Sequence, residues 1–199
     1  MKIFFDTEFT GLHKNTTLIS IGLIDENNRM FYGVLDDYDR SQLNDWLVKN
    51  VINNLDYELP ETLKDFELTS IKGGSEKVKS SLLTWLNDGN YNIAEFVSDV
   101  CHYDFVMLID LLWSNALEVP DNVSAVCVDI NNQIANFKNI NNFGAFSISR
   151  EELLKNGIIF NEKDSKLVNE LLSLESKHNA IYDAIVIKLI SEGIDKNGF

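Results

Sequence analysis

The chain is poor in proline, cysteine and basic residues, and it contains no long apolar run. Two prolines in 199 residues, with a hydrophobic content of 45%, exclude a proline-rich linker array and argue against disorder. Two cysteines, Cys101 and Cys127, are too few and too isolated for a disulfide framework or a zinc knuckle. No apolar run approaches a membrane span, and Met1-Lys2 leads into a predicted strand rather than a signal peptide. We therefore expect a single cytoplasmic domain over residues 1–199, with reduced thiols and no membrane partner.

Acidic residues outnumber basic ones almost two to one, and this imbalance bears on the class of ligand. Asp and Glu number 31 against 17 Lys and Arg, which gives a formal net charge of −14. Binding of long nucleic acids normally needs a basic surface, so this charge is unfavourable for it. The charge is compatible with an enzyme that takes short or single-stranded ends, because bound metal ions supply local positive charge.

Apolar and alternating runs predict an α/β fold. Runs at residues 3–9, 17–24 and 29–35 are separated by short polar turns, so they predict three consecutive strands in an antiparallel meander. Two later strands, at 91–100 and 124–130, alternate with helical patterns, and the second is expected to be fully buried. The expected fold is a mixed five-stranded sheet, an antiparallel meander followed by parallel strands, flanked by helices.

Helical spacing and capping residues predict six helices. Ser75 is a candidate N-cap and Gly89 a candidate end for one of them, and Ser149 opens a capping box whose helix ends at Gly157. The predicted helices cover residues 39–54, 75–89, 104–113, 149–157, 166–174 and 179–192. Asparagine crowds residues 131–142, but this stretch shows neither a repeat nor low complexity.

Two carboxylates in the first predicted strand point in the same direction. Side chains alternate along a strand, so Phe4, Asp6 and Glu8 share one of its faces. Like charges this close repel, and burying them beside phenylalanines costs several kcal/mol without compensation. A divalent cation such as Mg²⁺ or Mn²⁺ would compensate, because both prefer oxygen ligands. The alternative is an edge strand whose polar face is solvated.

A third acid, Asp104, follows a predicted strand and begins a predicted helix. The open ends of strands in such sheets are where ligands bind. A carboxylate at a helix N-terminus also interacts favourably with the helix dipole, so a cap without chemistry explains Asp104 equally well. Asp99 is the alternative acid, and it ranks lower because it would end the strand rather than start the helix.

A histidine and a further acid lie at the start of the last predicted helix. His178 precedes this helix, and Asp183 lies one turn inside it. Histidine titrates near neutral pH, so His178 suits a general base acting on an attacking water. His13 and His102 fit ordinary surface residues, and His178 with Asp183 alone would favour a structural role. The three acidic motifs together favour a metal-dependent phosphodiester hydrolase.

These motifs resemble those of the DEDDh branch of the DEDD (DnaQ-like) 3′–5′ exonucleases. Residues 6–12, D-T-E-F-T-G-L, are similar to the family's D-T-E-T-T-G-L and depart from it at Phe9. Residues 102–105, H-Y-D-F, loosely match a motif ending in F-D-x-x-F-L, with Tyr103 in place of the usual aromatic residue. Residues 178–184, H-N-A-I-Y-D-A, match H-x-A-x-x-D-A. The opening strands also resemble those of a subfamily of small exoribonucleases.

The resemblance implies a ribonuclease H-like fold and a two-metal site. By position, two Mg²⁺ or Mn²⁺ ions would be held by Asp6, Glu8, Asp104 and Asp183. His178 would take the proton from the nucleophile. In this class of site two cations about 4 Å apart stabilise both the attacking and the leaving oxygen of an in-line displacement.

The resemblance also implies contacts to the terminal nucleotide. Main-chain amides around Thr7 and Phe9 would meet the nucleotide, and Thr10 would contact its 3′ hydroxyl. Phe9 and Leu12 would pack against its base, since stacking tolerates any base.

The main hypothesis is a Mg²⁺- or Mn²⁺-dependent 3′–5′ exonuclease acting on short, single-stranded RNA or DNA 3′ ends, with RNA slightly preferred. One alternative is a catalytically silent nucleic-acid-binding protein that keeps the fold. Another is a phosphodiesterase for small oligonucleotides, which the net charge of −14 suits. Related small exonucleases also imply a homodimer.

Overall fold

A mixed sheet of six strands runs through the computed structural model, which describes residues 1–174 and 176–197. The strands are β1 (Lys2–Phe9), β2 (Leu18–Asp25), β3 (Met30–Leu35), β4 (Leu68–Gly73), β5 (Glu95–Ser98) and β6 (Val128–Asp129). Their order across the sheet is β4-β3-β2-β1-β5-β6. Neighbours among β1, β2 and β3 pair antiparallel, whereas β4 is parallel to β3, β5 to β1 and β6 to β5. The predicted antiparallel meander followed by parallel strands is confirmed.

The prediction of five strands is wrong, because β4 adds a sixth at the sheet edge. Ser70 and Lys72 of β4 are exposed, so this strand has no apolar run to predict it. The predicted buried strand at residues 124–130 is also wrong in extent and burial. Only Val128 and Asp129 pair with β5, and the apolar side chain of Val126 before them is exposed.

Helices cover both faces of the sheet. They are α1 (Asp45–Asn50), α2 (Ser75–Asp88), α3 (His102–Trp113), α4 (Ile130–Lys138), α5 (Asn142–Phe146), α6 (Arg150–Glu152), α7 (Glu162–Ser173) and α8 (Ala180–Lys196). The predicted helix at 39–54 is broken, since 3₁₀ turns flank a short α1. The sequence pattern does not predict α4 and α5. None of the helices within the described ranges combines the length and apolar character needed to cross a bilayer.

Of two predicted N-caps, Ser149 is confirmed and Ser75 is wrong by one residue. Ser149 is the N-cap of α6, and its hydroxyl accepts a hydrogen bond from the Glu152 amide at 3.2 Å, as the capping box predicts. A π-helical turn then ends at Gly157, as expected. Ser75 is instead the first residue of α2, and Gly74 takes the N-cap position.

The alternation predicted for β1 divides the core into two apolar clusters. Phe4 packs in the cluster that α8 contributes to, whereas Ile3 and Phe5 pack in the cluster of α2 and α3. Because the alternation continues along β1, Asp6 and Glu8 project on the α8 side and Thr7 on the α3 side. The strand therefore directs its polar end between the starts of two helices.

Candidate active site

A cavity of about 510 Å³ opens where β1 and β5 end and where α3 and α8 begin. Its lining contains every site residue predicted from the sequence: Asp6, Thr7, Glu8, Phe9, Thr10, Leu12, Asp104, His178 and Asp183. These residues come from three segments that are far apart in the sequence. The fold brings all of them to one place.

A glycine allows the start of α8 to lie directly on the sheet. Gly22 of β2 is the cross-strand neighbour of Asp6. A Cβ atom at Gly22 would lie 2.3 Å from the Ile181 nitrogen and 2.4 Å from the Ala180 carbonyl carbon. Any side chain at this position would therefore push α8 away from the strand that carries the first two acids.

Asp104 lies in the first turn of α3 and is bound to β1. Its carboxylate accepts hydrogen bonds from the Thr7 amide at 3.0 Å and from the Thr7 hydroxyl at 2.5 Å. The Thr7 amide is thus engaged by Asp104, and not free for a nucleotide as the resemblance implies. The alternative acid, Asp99, also lines the cavity but forms an ion pair with Arg150 at 2.6 Å. Within the described ranges, no cation forms an ion pair with Asp104.

His178 is placed by an unusual backbone conformation before α8. Its φ of 66° is left-handed, and its amide donates a hydrogen bond to the Asp183 carboxylate at 2.9 Å. The next residue, Asn179, is fully buried and caps α8 by accepting hydrogen bonds from the Ile181 and Tyr182 amides. The histidine is therefore held by both the helix cap and the acid that follows it.

The side chains of Glu8, His178 and Asp183 form a tight cluster. Their candidate ligand atoms all lie within 4.8 Å of one another, and the His178 Nδ1 is 3.9 Å from a Glu8 carboxylate oxygen. The His178 and Trp46 rings also form a T-shaped contact, with centroids 5.0 Å apart. Among the described residues this is the group of His and acidic side chains that is compact enough to hold a metal ion.

The acids of β1 are strongly destabilised in their charged form. Burial raises the pKa of Asp6 well above its ordinary value, and the neighbouring charges of Asp104 and Asp183 raise it further. Burial likewise raises the pKa of Glu8 to about 8, again with contributions from Asp183 and Asp104. These four carboxylates are close enough to repel one another.

The pKa values of the two acids on helices, Asp104 and Asp183, are raised as well. Burial raises the pKa of Asp104 to about 6, although the hydrogen bonds from Thr7 lower it. Burial raises the pKa of Asp183 to about 7, against the hydrogen bond from the His178 amide. Desolvated oxygen donors that lack a counter-charge are what a hard divalent cation binds, so this donor set fits Mg²⁺ or Mn²⁺.

The pKa of His178 is shifted in the opposite direction, below its ordinary value. Burial lowers the pKa of its imidazole, and the positive charge of Lys177 lowers it further, while Glu151 acts against both. The ring is therefore neutral at physiological pH. A neutral imidazole accepts a proton, which is the property a general base requires.

Aromatic and apolar side chains form the rest of the wall. Phe9 stacks on Tyr103 with ring centroids 5.6 Å apart, and Leu12 is largely exposed beside them. Thr10 is buried, and its hydroxyl donates a hydrogen bond to Gln42. Phe9 and Leu12 are thus accessible from the cavity, whereas the Thr10 hydroxyl already has a partner inside the protein.

Trp46 is a cavity residue that the sequence analysis does not predict. Its side chain is 53% exposed although it lines the cavity. The helical spacing places Leu43, Leu47 and Val51 on one stripe, and Trp46 lies off this stripe. A large aromatic residue away from the apolar stripe is the signal that could have identified it.

The comparisons with known proteins give no family to which the chain can be assigned. No protein-family model matches the sequence, and no curated protein matches it significantly. Interpretation of the function therefore depends on the site itself.

Proposed function

We propose that the protein is a metal-dependent 3′–5′ exonuclease of the DEDDh type with a ribonuclease H-like fold, acting on single-stranded RNA or DNA ends in the cytoplasm. The observation that carries this proposal is the convergence of all nine predicted site residues on one cavity. Four mutually repelling carboxylates and one neutral histidine fit a phosphodiester hydrolase better than a structural role.

The metal ligands in this proposal are the four perturbed acids. Asp6, Glu8, Asp104 and Asp183 would hold two Mg²⁺ or Mn²⁺ ions, although only Glu8 and Asp183 of the four belong to the compact cluster with His178. The positive charge of the ions would stabilise the attacking and leaving oxygens of the phosphodiester. Thr7 keeps Asp104 in place through its amide and hydroxyl. Its role is to position a ligand, and this replaces the nucleotide contact that the resemblance implies for it.

His178 would accept the proton of the attacking water. Its lowered pKa keeps the ring neutral at physiological pH. Asp183 accepts a hydrogen bond from the His178 amide and so fixes the backbone of the base. The Trp46 ring packs against the imidazole in a T-shaped arrangement. The expected result is a rate that falls when His178 becomes protonated.

The walls of the cavity suit a nucleotide at the end of a strand. Phe9, stacked on Tyr103, and the exposed side chains of Leu12 and Trp46 offer apolar surfaces for bases. Such surfaces do not distinguish one base from another. We therefore expect hydrolysis without strong sequence preference.

A phosphodiesterase for small oligonucleotides is the second candidate, and the charge of the cavity favours it. The cationic residues lining the cavity, among those the structure describes, are Arg150 and Lys177. Arg150 is paired with Asp99 and Lys177 with Glu151. Little positive charge is left for a long phosphate chain, so a substrate with few phosphates is favoured.

The test is hydrolysis of single-stranded RNA and DNA labelled at the 5′ end, with Mn²⁺ or Mg²⁺. We expect shortening from the 3′ end by single nucleotides, lost in Asp6→Asn and retained in Asp110→Asn, which changes an exposed acid of α3. Faster turnover of a dinucleotide than of a longer strand would favour the second candidate. Binding without hydrolysis at any metal concentration would instead indicate a silent binding protein and contradict both enzymes.

A further inference from the structure

Residues 130–150 form a segment without acidic residues in a strongly acidic protein. This segment contains neither Asp nor Glu, whereas the average composition of the chain would place about three there. Its charged residues are Lys138 and Arg150. We call residues 130–150 the acid-free segment. None of its own side chains repels a polyanion.

The acid-free segment presents aromatic and amide side chains to solvent. Phe143 is 79% exposed and Phe146 is 58% exposed, and they lie three residues apart on α5. Side chains at this spacing project from the same side of a helix. Several asparagines are exposed around them: Asn132, Asn136, Asn139, Asn141 and Asn142. Exposed rings with neutral hydrogen-bonding groups suit unpaired bases, because every base offers a flat face for stacking.

The helices α4 and α5, which carry these side chains, are anchored in the core. Ile130, Ile134 and Ala135 of α4 are buried in the cluster shared with α8, as is Ala145 of α5. The backbone that carries the exposed rings therefore needs little ordering on binding, which lowers the entropic cost of a contact.

One side chain connects the acid-free segment to the cavity. Arg150 lines the cavity, and its Nη1 donates hydrogen bonds to the carbonyl of Ala145 in α5 at 2.9 Å and to that of Ile148 at 2.7 Å. Its other donors bind Asp99 and Asn131. Arg150 therefore links the lining of the cavity to the backbone at the end of α5.

We propose that the exposed face of the acid-free segment binds the upstream part of a nucleic-acid strand whose 3′ end occupies the cavity. This inference rests on the proposed function. Phe143 and Phe146 stack with unpaired bases. The Lys138 ammonium donates one hydrogen bond to the Gly157 carbonyl at 3.2 Å, has no carboxylate partner among the described residues, and contacts a phosphate with its other donors. Affinity then comes from stacking rather than from charge, which reconciles strand binding with a net charge of −14.

The test measures binding without turnover. Fluorescein-labelled single-stranded RNAs of three and twelve nucleotides are titrated with Ca²⁺ in place of Mg²⁺ or Mn²⁺, so that the carboxylates of the cavity have a counter-charge, and binding is followed by fluorescence anisotropy. The wild type is expected to bind the longer strand more tightly, and Phe143→Ala with Phe146→Ala together to weaken that binding at least about tenfold. Affinity for the shorter strand should not change. The matched control is Leu117→Ala, which removes another apolar side chain that is 97% exposed.

Three outcomes would overturn the inference: equal affinity of wild type and double variant for the longer strand, the same loss for both strands, or a dimer that the double variant converts to a monomer. The last would assign this face to a second copy of the chain. The binding assay is independent of the hydrolysis assay, so the two proposals can fail separately. Length-dependent binding without nuclease activity would refute only the proposed function. Normal hydrolysis with unaltered binding in the double variant would refute only the present inference.

Discussion

The acids of the candidate site are expected to destabilise the metal-free fold, and Glu8→Gln measures this directly. The pKa of Glu8 is raised from 4.5 to about 8, so between these values the folded protein keeps a proton that the unfolded chain releases. Stability therefore falls as pH rises through this window, and the loss is complete above the folded-state pKa. Glutamine has nearly the same shape and no charge, so it removes the loss.

The magnitude follows from the difference between the two pKa values. At about 1.4 kcal/mol per pH unit, ionising Glu8 costs at most about 5 kcal/mol. We expect Glu8→Gln to recover about 2 kcal/mol of this at pH 9, because relaxation of the fold and water penetration reduce the cost of a buried charge. For a chain of this size, that corresponds to a rise in Tm of about 4–8 °C. At pH 5 the wild-type carboxyl is protonated, so the substitution should change Tm little.

The assay is thermal unfolding in EDTA, followed by circular dichroism at pH 5 and pH 9. Glu58→Gln is the matched control, since Glu58 is an exposed glutamate in a loop away from the cavity. An equal Tm for wild type and Glu8→Gln at pH 9 would refute the argument. So would a stabilisation of the same size at both pH values.

Three further predictions concern activity and assembly of the site. Asp104→Asn should lower the hydrolysis rate more than about 100-fold while Asp110→Asn on the same helix does not, and equal rates for the two variants would exclude Asp104 as a ligand. His178→Gln should lower the rate about 10²–10⁴-fold. The wild-type rate should rise with pH around a midpoint below the ordinary histidine pKa of 6.5. The same pH profile in the wild type and in His178→Gln would contradict the assignment of His178 as the general base. Gly22→Ala should destabilise the fold by more than about 2 kcal/mol in urea unfolding, because a Cβ there meets the backbone of α8, and an unchanged midpoint would contradict the role of that contact.

The local sequence pattern was sufficient to predict the elements that combine a strong hydrophobic periodicity with a clear turn. The alternation along β1 correctly assigned Phe4 to one core cluster and Phe5 to the other. It failed for β4, whose polar side chains at Ser70 and Lys72 face solvent at the sheet edge. Near β6 it failed in the other direction, because an apolar run that includes Val126 lies on the surface. Neither burial nor an edge position can be seen in a single short segment.

For the candidate site, too, the local sequence predicts part of the arrangement and contacts between distant residues decide the rest. Motif spacing predicts which acids belong together, but it leaves Asp104 and Asp99 as alternatives. Only the folded chain separates them, since Asp104 is bound to Thr7 whereas Asp99 is paired with Arg150. The ion pair joins residues 51 positions apart, a contact that no local pattern contains.

The most direct test of the central claim is a crystal structure of the protein soaked with Mn²⁺ and a nucleoside monophosphate, with anomalous data collected at the manganese edge. We expect two anomalous peaks among Asp6, Glu8, Asp104 and Asp183, with the phosphate of the nucleotide beside them. Absence of a peak among these four carboxylates, or manganese bound only elsewhere, would contradict it.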